Sequence, residues 1–135
     1  MARLIDSSVF IAFDRRGSPF STMDAILSDE PFALASITAS ELLVGLHRST
    51  GHGSRGRRIA FVASILGRVP VIAFDLDIAR THAHLIVDLA ASGRLIGAND
   101  LLIASTALTR GYKLLTHNVR HFERVPGLTI EKADW

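Results

Sequence analysis

Short apolar runs alternate with longer helical segments along the whole chain, and this alternation constrains the fold more than any other feature. Strands are predicted over 3–5, 32–35, 71–73, 113–115 and 128–130. Apolar residues recur at helical spacing between them, which predicts helices over 7–13, 22–28, 39–47, 57–66, 75–92 and 101–109. Strands joined by helices form parallel sheets, and strands that are apolar on both faces are covered by helices on both sides. The sequence therefore predicts an α/β fold built on a short parallel sheet.

Length and composition limit the classes of protein that need to be considered. With 135 residues, 48% of them apolar and 21% charged, the chain is expected to form one soluble domain over 1–135. It has no cysteine, no long apolar stretch and a charged residue, Arg3, close to its start. A disulfide framework, a membrane span and a signal peptide are therefore not expected. A cytoplasmic protein fits these features.

The basic residues are nearly all arginines. Only Lys113 and Lys132 are lysines among the 15 basic residues, and several arginines cluster at 15–16 and 48–58. The second cluster overlaps a glycine- and serine-rich segment, 49–54, that is predicted to be a flexible loop. Arginine suits phosphate recognition, so nucleic acid is an allowed partner. A solvated surface explains the same residues equally well.

Three acidic residues stand where the ends of parallel strands would gather. Asp6 follows the first strand directly, Glu41 is placed in the first turn of the helix after the second strand, and Asp100 opens the helix before the fourth strand. Each has a simpler interpretation as a helix cap, and Thr38 to Glu41 matches a capping box. A parallel sheet nevertheless brings such positions towards one edge, where ligands bind.

Clustered carboxylates repel one another, so a site built from them usually needs a cation. Oxygen ligands favour Mg²⁺ or Mn²⁺ over zinc. Such a site can activate water for in-line attack on a phosphodiester. Asn118, which follows the fourth strand, is a weaker candidate ligand beside Asp6, Glu41 and Asp100.

Four segments together resemble the PIN-domain family, in particular the VapC-type toxins. They are LIDSSV at 4–9, TASELLVG at 38–45, NDLLIASTA at 99–107 and LLTHNVRHF at 114–122. The resemblance implies a three-layer α/β/α sandwich and a Mg²⁺- or Mn²⁺-dependent endoribonuclease that cuts RNA such as tRNA or rRNA. It implies the toxin half of a type II toxin–antitoxin pair, inhibited by a cognate antitoxin, and we also expect a homodimer.

The resemblance also assigns roles to individual residues. It makes Asp6, Glu41 and Asp100 the catalytic and metal-binding acids, with Ser7 and Thr116 as supporting hydroxyl groups. Asn118 falls where some members carry a fourth acid, so the site has one negative charge fewer. That difference leaves a second metal open.

Other interpretations share parts of this pattern. A DNA nuclease would use the same acidic site. A phospho-acceptor signalling domain would need an acidic pair after the first strand and a lysine after its last main strand, whereas only Asp6 is present and Lys113 precedes its strand. A non-catalytic interaction module would not need the acids. Among the histidines, His117 and His121 are expected at the surface or in contact with substrate, and no histidine is expected to be a catalyst.

Overall fold

The computed structural model describes the backbone of residues 1–135 and every side chain except that of His52. In this described chain the strands are β1 (Arg3–Ile5), β2 (Phe32–Ala35), β3 (Val71–Ile72), β4 (Lys113–Thr116) and β5 (Ile130–Lys132). The helices are α1 (Ser7–Arg15), α2 (Phe20–Leu27), α3 (Ser36–His47), α4 (His52–Arg68), α5 (Leu76–Ala91), α6 (Ala98–Arg110) and α7 (Val119–Phe122).

The five strands form one parallel sheet in the order β3-β2-β1-β4-β5. The chain first moves outward from β1 to β2 and β3, and then crosses to the other side of β1 to add β4 and β5. Strand order therefore reverses beside β1, and ligands bind beyond the carboxyl ends of the strands at such a position. Asp6 is the first residue after β1. The predicted parallel α/β fold is confirmed.

Helices cover both faces of the sheet because successive strand residues point to opposite sides. Helices α1, α2 and α4 pack on the face that carries Ile5, Leu34 and Leu115. Helices α5, α6 and α7 pack on the face that carries Leu4, Ala33 and Leu114. All six of these strand side chains are buried. The two cores hold the ends of β1 and β4 rigidly between them.

Several predicted elements differ from the structure. The segment 49–54 was expected to be a loop, but α4 already begins at His52. A reason lies in Arg55, whose guanidinium donates to the carbonyl oxygens of Leu46 and Ser49 and ties the start of α4 to the end of α3. The last strand begins at Ile130 rather than 128, and the short helix α7 was not predicted.

A network of ion pairs lies at the amino-terminal edge of the sheet, opposite Asp6. The buried Arg3 guanidinium donates to Asp29 and Glu131, and Lys113 Nζ lies 3.0 Å from Glu30 and 3.1 Å from Glu131. These cations hold the pKa values of Asp29, Glu30 and Glu131 below their usual range. Lys113 is thus held by ion pairs at the start of β4, at the opposite end of the strand from Thr116, which argues against the signalling-domain interpretation.

Within the described part of the chain, no helix combines the length and the apolar character needed to cross a membrane.

Candidate active site

Asp6 is the most constrained acid of the site. Its side chain is only 2% exposed although it carries a carboxylate. The hydroxyl groups of Ser8 and Thr116 both donate to Oδ2, at 2.7 and 2.8 Å. No described group hydrogen bonds to Oδ1, so that oxygen is available to a ligand. Burial with two donors on one oxygen fixes the orientation of the carboxylate.

The helix-cap interpretation of Asp6 is wrong, although Asp6 does occupy the N-cap position of α1. Its side chain makes no capping hydrogen bond to the helix. The carboxylate instead reaches across to Thr116, at the end of the neighbouring strand β4. The backbone repeats this link, since the Asp6 amide donates to the carbonyl oxygen of Leu115 at 3.0 Å.

Glu41 lies on α3, and the structure corrects its predicted position. The helix begins at Ser36 with Ala35 as its N-cap, so Glu41 belongs to the second turn and the capping box with Thr38 does not form. The helix starts earlier because β2 passes into it directly. One carboxylate oxygen, Oε1, is buried and has no hydrogen-bond partner among the described residues. Such an orphaned atom is costly unless a ligand satisfies it.

The environment of Glu41 raises the pKa of its carboxyl group. Burial is the largest cause, followed by the charge of Asp6, and the charge of Asp100 adds to both. Ser7 and Asn99 lie near enough to oppose the shift, although neither makes a well-formed hydrogen bond to Glu41. The charges of Asp6, which follows β1, and of Asp100 on α6 therefore both act on the Glu41 carboxyl group.

Asp100 stands in the first turn of α6 and is half-buried. Burial, and next the charge of Asp6, raise the pKa of its carboxyl group, while His121 lowers it. His121 Nδ1 lies 3.1 Å from Asp100 Oδ2. The sequence predicts His121 at the surface or in contact with substrate, and α7 places it directly against a site acid.

The supporting positions differ in part from expectation. Thr116 is fully buried and donates to Asp6, and the serine that donates to Asp6 is Ser8 rather than Ser7. Ser7 lies beside Glu41 instead. The backbone amide of Asn118 donates to Thr116 Oγ1 at 2.9 Å, and its side chain is exposed. Asn118 thus lies beside the site through its backbone, and its ligand role stays a prediction.

The arginine cluster is partly structural. Arg58 donates to the buried Asp14 carboxylate at 3.0 Å, and Arg55 holds the carbonyl oxygens that end α3. A groove of about 220 Å³ runs beside these residues between α1, α3 and α4. Apolar side chains line most of it, and Glu41 lies on its wall. The groove therefore opens beside one of the three acids, Glu41.

Asp6 lies where the strand order reverses, and its charge acts on Glu41 of α3 and Asp100 of α6, an arrangement typical of a ligand-binding site in a parallel α/β fold. The family model of the PIN domain matches residues 3–128. This chain therefore belongs to the PIN-domain family.

Curated relatives narrow the assignment. Ribonuclease VapC1 of Rickettsia felis is 34% identical over 130 residues, which cover 96% of this chain and 95% of the relative. A tRNA(fMet)-specific endonuclease VapC of Salmonella typhimurium is 34% identical over 109 residues, covering 81% of this chain and 79% of the relative. A similar solved structure is that of VapBC2 from Rickettsia felis bound to a DNA fragment from the VapBC2 promoter. The match has a TM-score of 0.84 at 25% sequence identity and covers 99% of this chain and 100% of the matched chain. Within the family, the chain is an endoribonuclease toxin of the VapC type.

Proposed function

We propose that this chain cleaves RNA at the cluster of Asp6, Glu41 and Asp100, with Mg²⁺ or Mn²⁺ as cofactor. The observation that carries the proposal is the effect of the Asp6 charge on the other two carboxyl groups. The charge of the buried Asp6 raises the pKa values of both Glu41 and Asp100, so the three groups share one electrostatic site. A divalent cation offsets such repulsion, whereas an interaction module has no need of it.

The donor set fits a hard cation that keeps part of its water shell. In the present positions, no three of the described histidine, aspartate and glutamate side chains form a complete ligand set. Mg²⁺ does not require one, because proteins commonly hold it through one or two carboxylates with water and substrate phosphate completing the shell. Asp6 Oδ1 and the orphaned Glu41 Oε1 are oxygens without partners among the described residues, and Asp100 lies within electrostatic reach of both acids. Asp6, Glu41 and Asp100 would hold the cation, with Asn118 as an additional oxygen donor.

Each side chain has a distinct task in the proposed reaction. Ser8 and Thr116 hold the Asp6 carboxylate in one orientation. Glu41, whose pKa is raised by burial and by Asp6, can accept the proton of the water that attacks the phosphodiester through the carboxylate oxygen that does not hold the cation. When bound, the cation supplies Lewis-acid stabilisation of the negative charge that develops on the phosphodiester. His121 holds Asp100 from the solvent side.

Transfer RNA is the substrate class that we propose. The support is the relative from Salmonella typhimurium, which is described as specific for tRNA(fMet). Two exposed arginines would add favourable phosphate contacts: Arg15, which lines the groove together with Glu41, and Arg120, which precedes His121 in α7.

The proposed protein partner is a cognate antitoxin. The structural neighbour VapBC2 supports this proposal, because it was solved as a VapBC complex. The groove between α1, α3 and α4 is lined by Phe10, Ile11, Leu42, Phe61 and Val62. An apolar segment of an antitoxin lying there would cover Glu41 on the wall of the groove and so block the site.

We further propose that the free chain forms a homodimer. The support is apolar surface on two helices: Ile26 of α2 is 50% exposed, and Leu43 and Val44 of α3 are 37% and 42% exposed. Sedimentation equilibrium of the antitoxin-free protein tests this proposal, and a monomer at all concentrations would contradict it.

The experiment for the proposed function compares one stem-loop oligonucleotide of tRNA sequence in ribo and deoxy form. The antitoxin-free protein is incubated with each in Mg²⁺, in Mn²⁺ and in chelator. We expect discrete cuts in the ribo form alone, dependent on metal and absent in Asp100→Asn. Equal cutting of the deoxy form would identify a DNA nuclease instead. Cutting that survives in chelator or in the variant would refute the site.

A further inference from the structure

His121 lies against an acid of the site although the chain holds the two residues on different helices. Its Nδ1 atom is 3.1 Å from Asp100 Oδ2, and the histidine and aspartate side chains are 58% and 22% exposed. Helices α6 and α7 share one core, in which Leu101 and Phe122 are buried beside these residues. The pair is therefore positioned by packing, and it opens to the solvent from which a cation or an RNA phosphate would arrive.

The separation of the two atoms suits a shared cation as well as a hydrogen bond. Oxygen and nitrogen ligands lie about 2.1 Å from a small divalent ion, so neighbouring ligands of an octahedral ion are about 3.0 Å apart. The observed 3.1 Å between Nδ1 and Oδ2 matches that spacing. The buried and unpartnered Oε1 of Glu41 gives independent evidence that a ligand belongs at this site.

We propose that His121 is a nitrogen ligand of the cation that Asp100 holds, and that it makes this site prefer Mn²⁺ to Mg²⁺. The inference rests on the proposed metal-dependent function and names the cation that the site selects. Mg²⁺ is a hard ion that takes oxygen ligands and exchanges its water reluctantly. Mn²⁺ shares the carboxylate and water ligands of Mg²⁺ but begins the transition series, whose members also accept imidazole nitrogen. An imidazole in place of an oxygen donor therefore favours Mn²⁺.

The test measures metal binding directly on the full-length, metal-free protein at pH 8. Free Mn²⁺ is quantified by its electron paramagnetic resonance signal, and Mg²⁺ affinity is obtained by competition. The variants are His121→Ala, which removes the nitrogen, and His121→Glu, which replaces it with oxygen. His84→Asn is the matched control, since His84 is an exposed histidine on α5, outside the site. All four proteins are first checked for folding by circular dichroism.

We expect His121→Ala to weaken Mn²⁺ binding about tenfold while Mg²⁺ binding changes by less than about twofold. His121→Glu should bring the two affinities together by strengthening Mg²⁺ binding, and His84→Asn should match the parent. Electron spin echo modulation of the bound Mn²⁺ should show a coordinated imidazole nitrogen that disappears in both His121 variants.

Three results would overturn the inference, and they differ from one another. Unchanged Mn²⁺ affinity in His121→Ala, without a nitrogen signal in the parent, would leave His121 as a hydrogen-bond partner only. Equal weakening of both cations would show that His121 positions Asp100 without binding metal. If neither cation bound to the parent protein, the metal-dependent function itself would fail together with the inference.

Discussion

Replacing Thr116 with valine removes the hydroxyl group that donates to Asp6 while nearly conserving side-chain volume. Thr116 is fully buried at the end of β4, and its Oγ1 atom has two hydrogen-bonding roles. It donates to Asp6 Oδ2 at 2.8 Å and accepts the backbone amide of Asn118 at 2.9 Å. The substitution leaves a 2% exposed carboxylate with one donor, Ser8, in place of two.

The magnitude follows from the charge on the acceptor. A hydrogen bond to a charged group contributes about 1.5–3 kcal/mol, and the amide of Asn118 loses a neutral bond of about 1 kcal/mol. Because Ser8 still satisfies Asp6 Oδ2 and Asn118 is near solvent, we expect a total loss of about 2–3 kcal/mol. Thr116→Ser is the matched control, since it keeps the hydroxyl and removes one buried methyl group, at a cost of about 1 kcal/mol.

The assay is urea unfolding of the metal-free parent and both variants, followed by circular dichroism. Thr116→Val should lower the midpoint more than Thr116→Ser, by about 1–2 kcal/mol in free energy with an unchanged m-value. Combining Thr116→Val with Ser8→Ala should cost more than the sum of the single changes, because Asp6 then has no donor. A valine variant as stable as the serine variant would refute the reasoning that these hydroxyl groups stabilise a buried charge.

Three further predictions concern stability elsewhere in the chain. Because folding raises the pKa values of Glu41 and Asp100, their charges destabilise the folded state at neutral pH. Glu41→Gln should therefore raise the melting temperature by a few degrees at about pH 7. Calorimetry should show this gain shrinking as the pH falls and the carboxyl groups become protonated. Arg3→Met should lower the melting temperature by several degrees, whereas Arg80→Met, at an exposed position, should have little effect. Arg3 lowers the pKa values of Asp29 and Glu131. The loss of stability in Arg3→Met should therefore be complete above the usual carboxylate pKa range and should disappear as the pH falls through the lowered pKa values. Gly111→Ala should lower the free energy of urea unfolding by about 1 kcal/mol because Gly111 ends α6 at φ +68°. Gly67→Ala, where an added Cβ meets open space within α4, should instead raise the free energy of unfolding by up to about 1 kcal/mol. Equal effects of the two alanines would contradict this account.

The fold could be predicted largely because the strands and most helices follow local patterns. The runs at 3–5 and 32–35 coincide with β1 and β2. The helix predicted from residue 75 is capped by Asp75, whose side chain accepts the amide of Ile78. The start of α4 could not be predicted in this way. Its glycine- and serine-rich residues favour a loop locally, and the contacts of Arg55 and Arg58 with the end of α3 support the helical turn.

The candidate site, like the fold, could be predicted from the sequence only in part. Asp6, Glu41 and Asp100 could be proposed because each lies at a strand end or near a helix start, and a parallel sheet gathers such positions. The contribution of His121 could not be read from periodicity, because it depends on a contact with Asp100 across 21 positions of the chain. Whether Ser7 or Ser8 donates to Asp6 depends on which of the two hydroxyl groups α1 turns towards that carboxylate. The two positions differ by only one residue along the helix.

The most direct test of the central claim is the single-turnover rate of RNA cleavage in saturating Mn²⁺ for the parent, Asp6→Asn, Glu41→Gln and Asp100→Asn. If the three acids form one site, each variant should remain folded and lose at least about a hundredfold in rate, and the triple variant should be little worse than any single one. A folded variant that cleaves at the parent rate would show that its acid lies outside the catalytic site and would contradict the account.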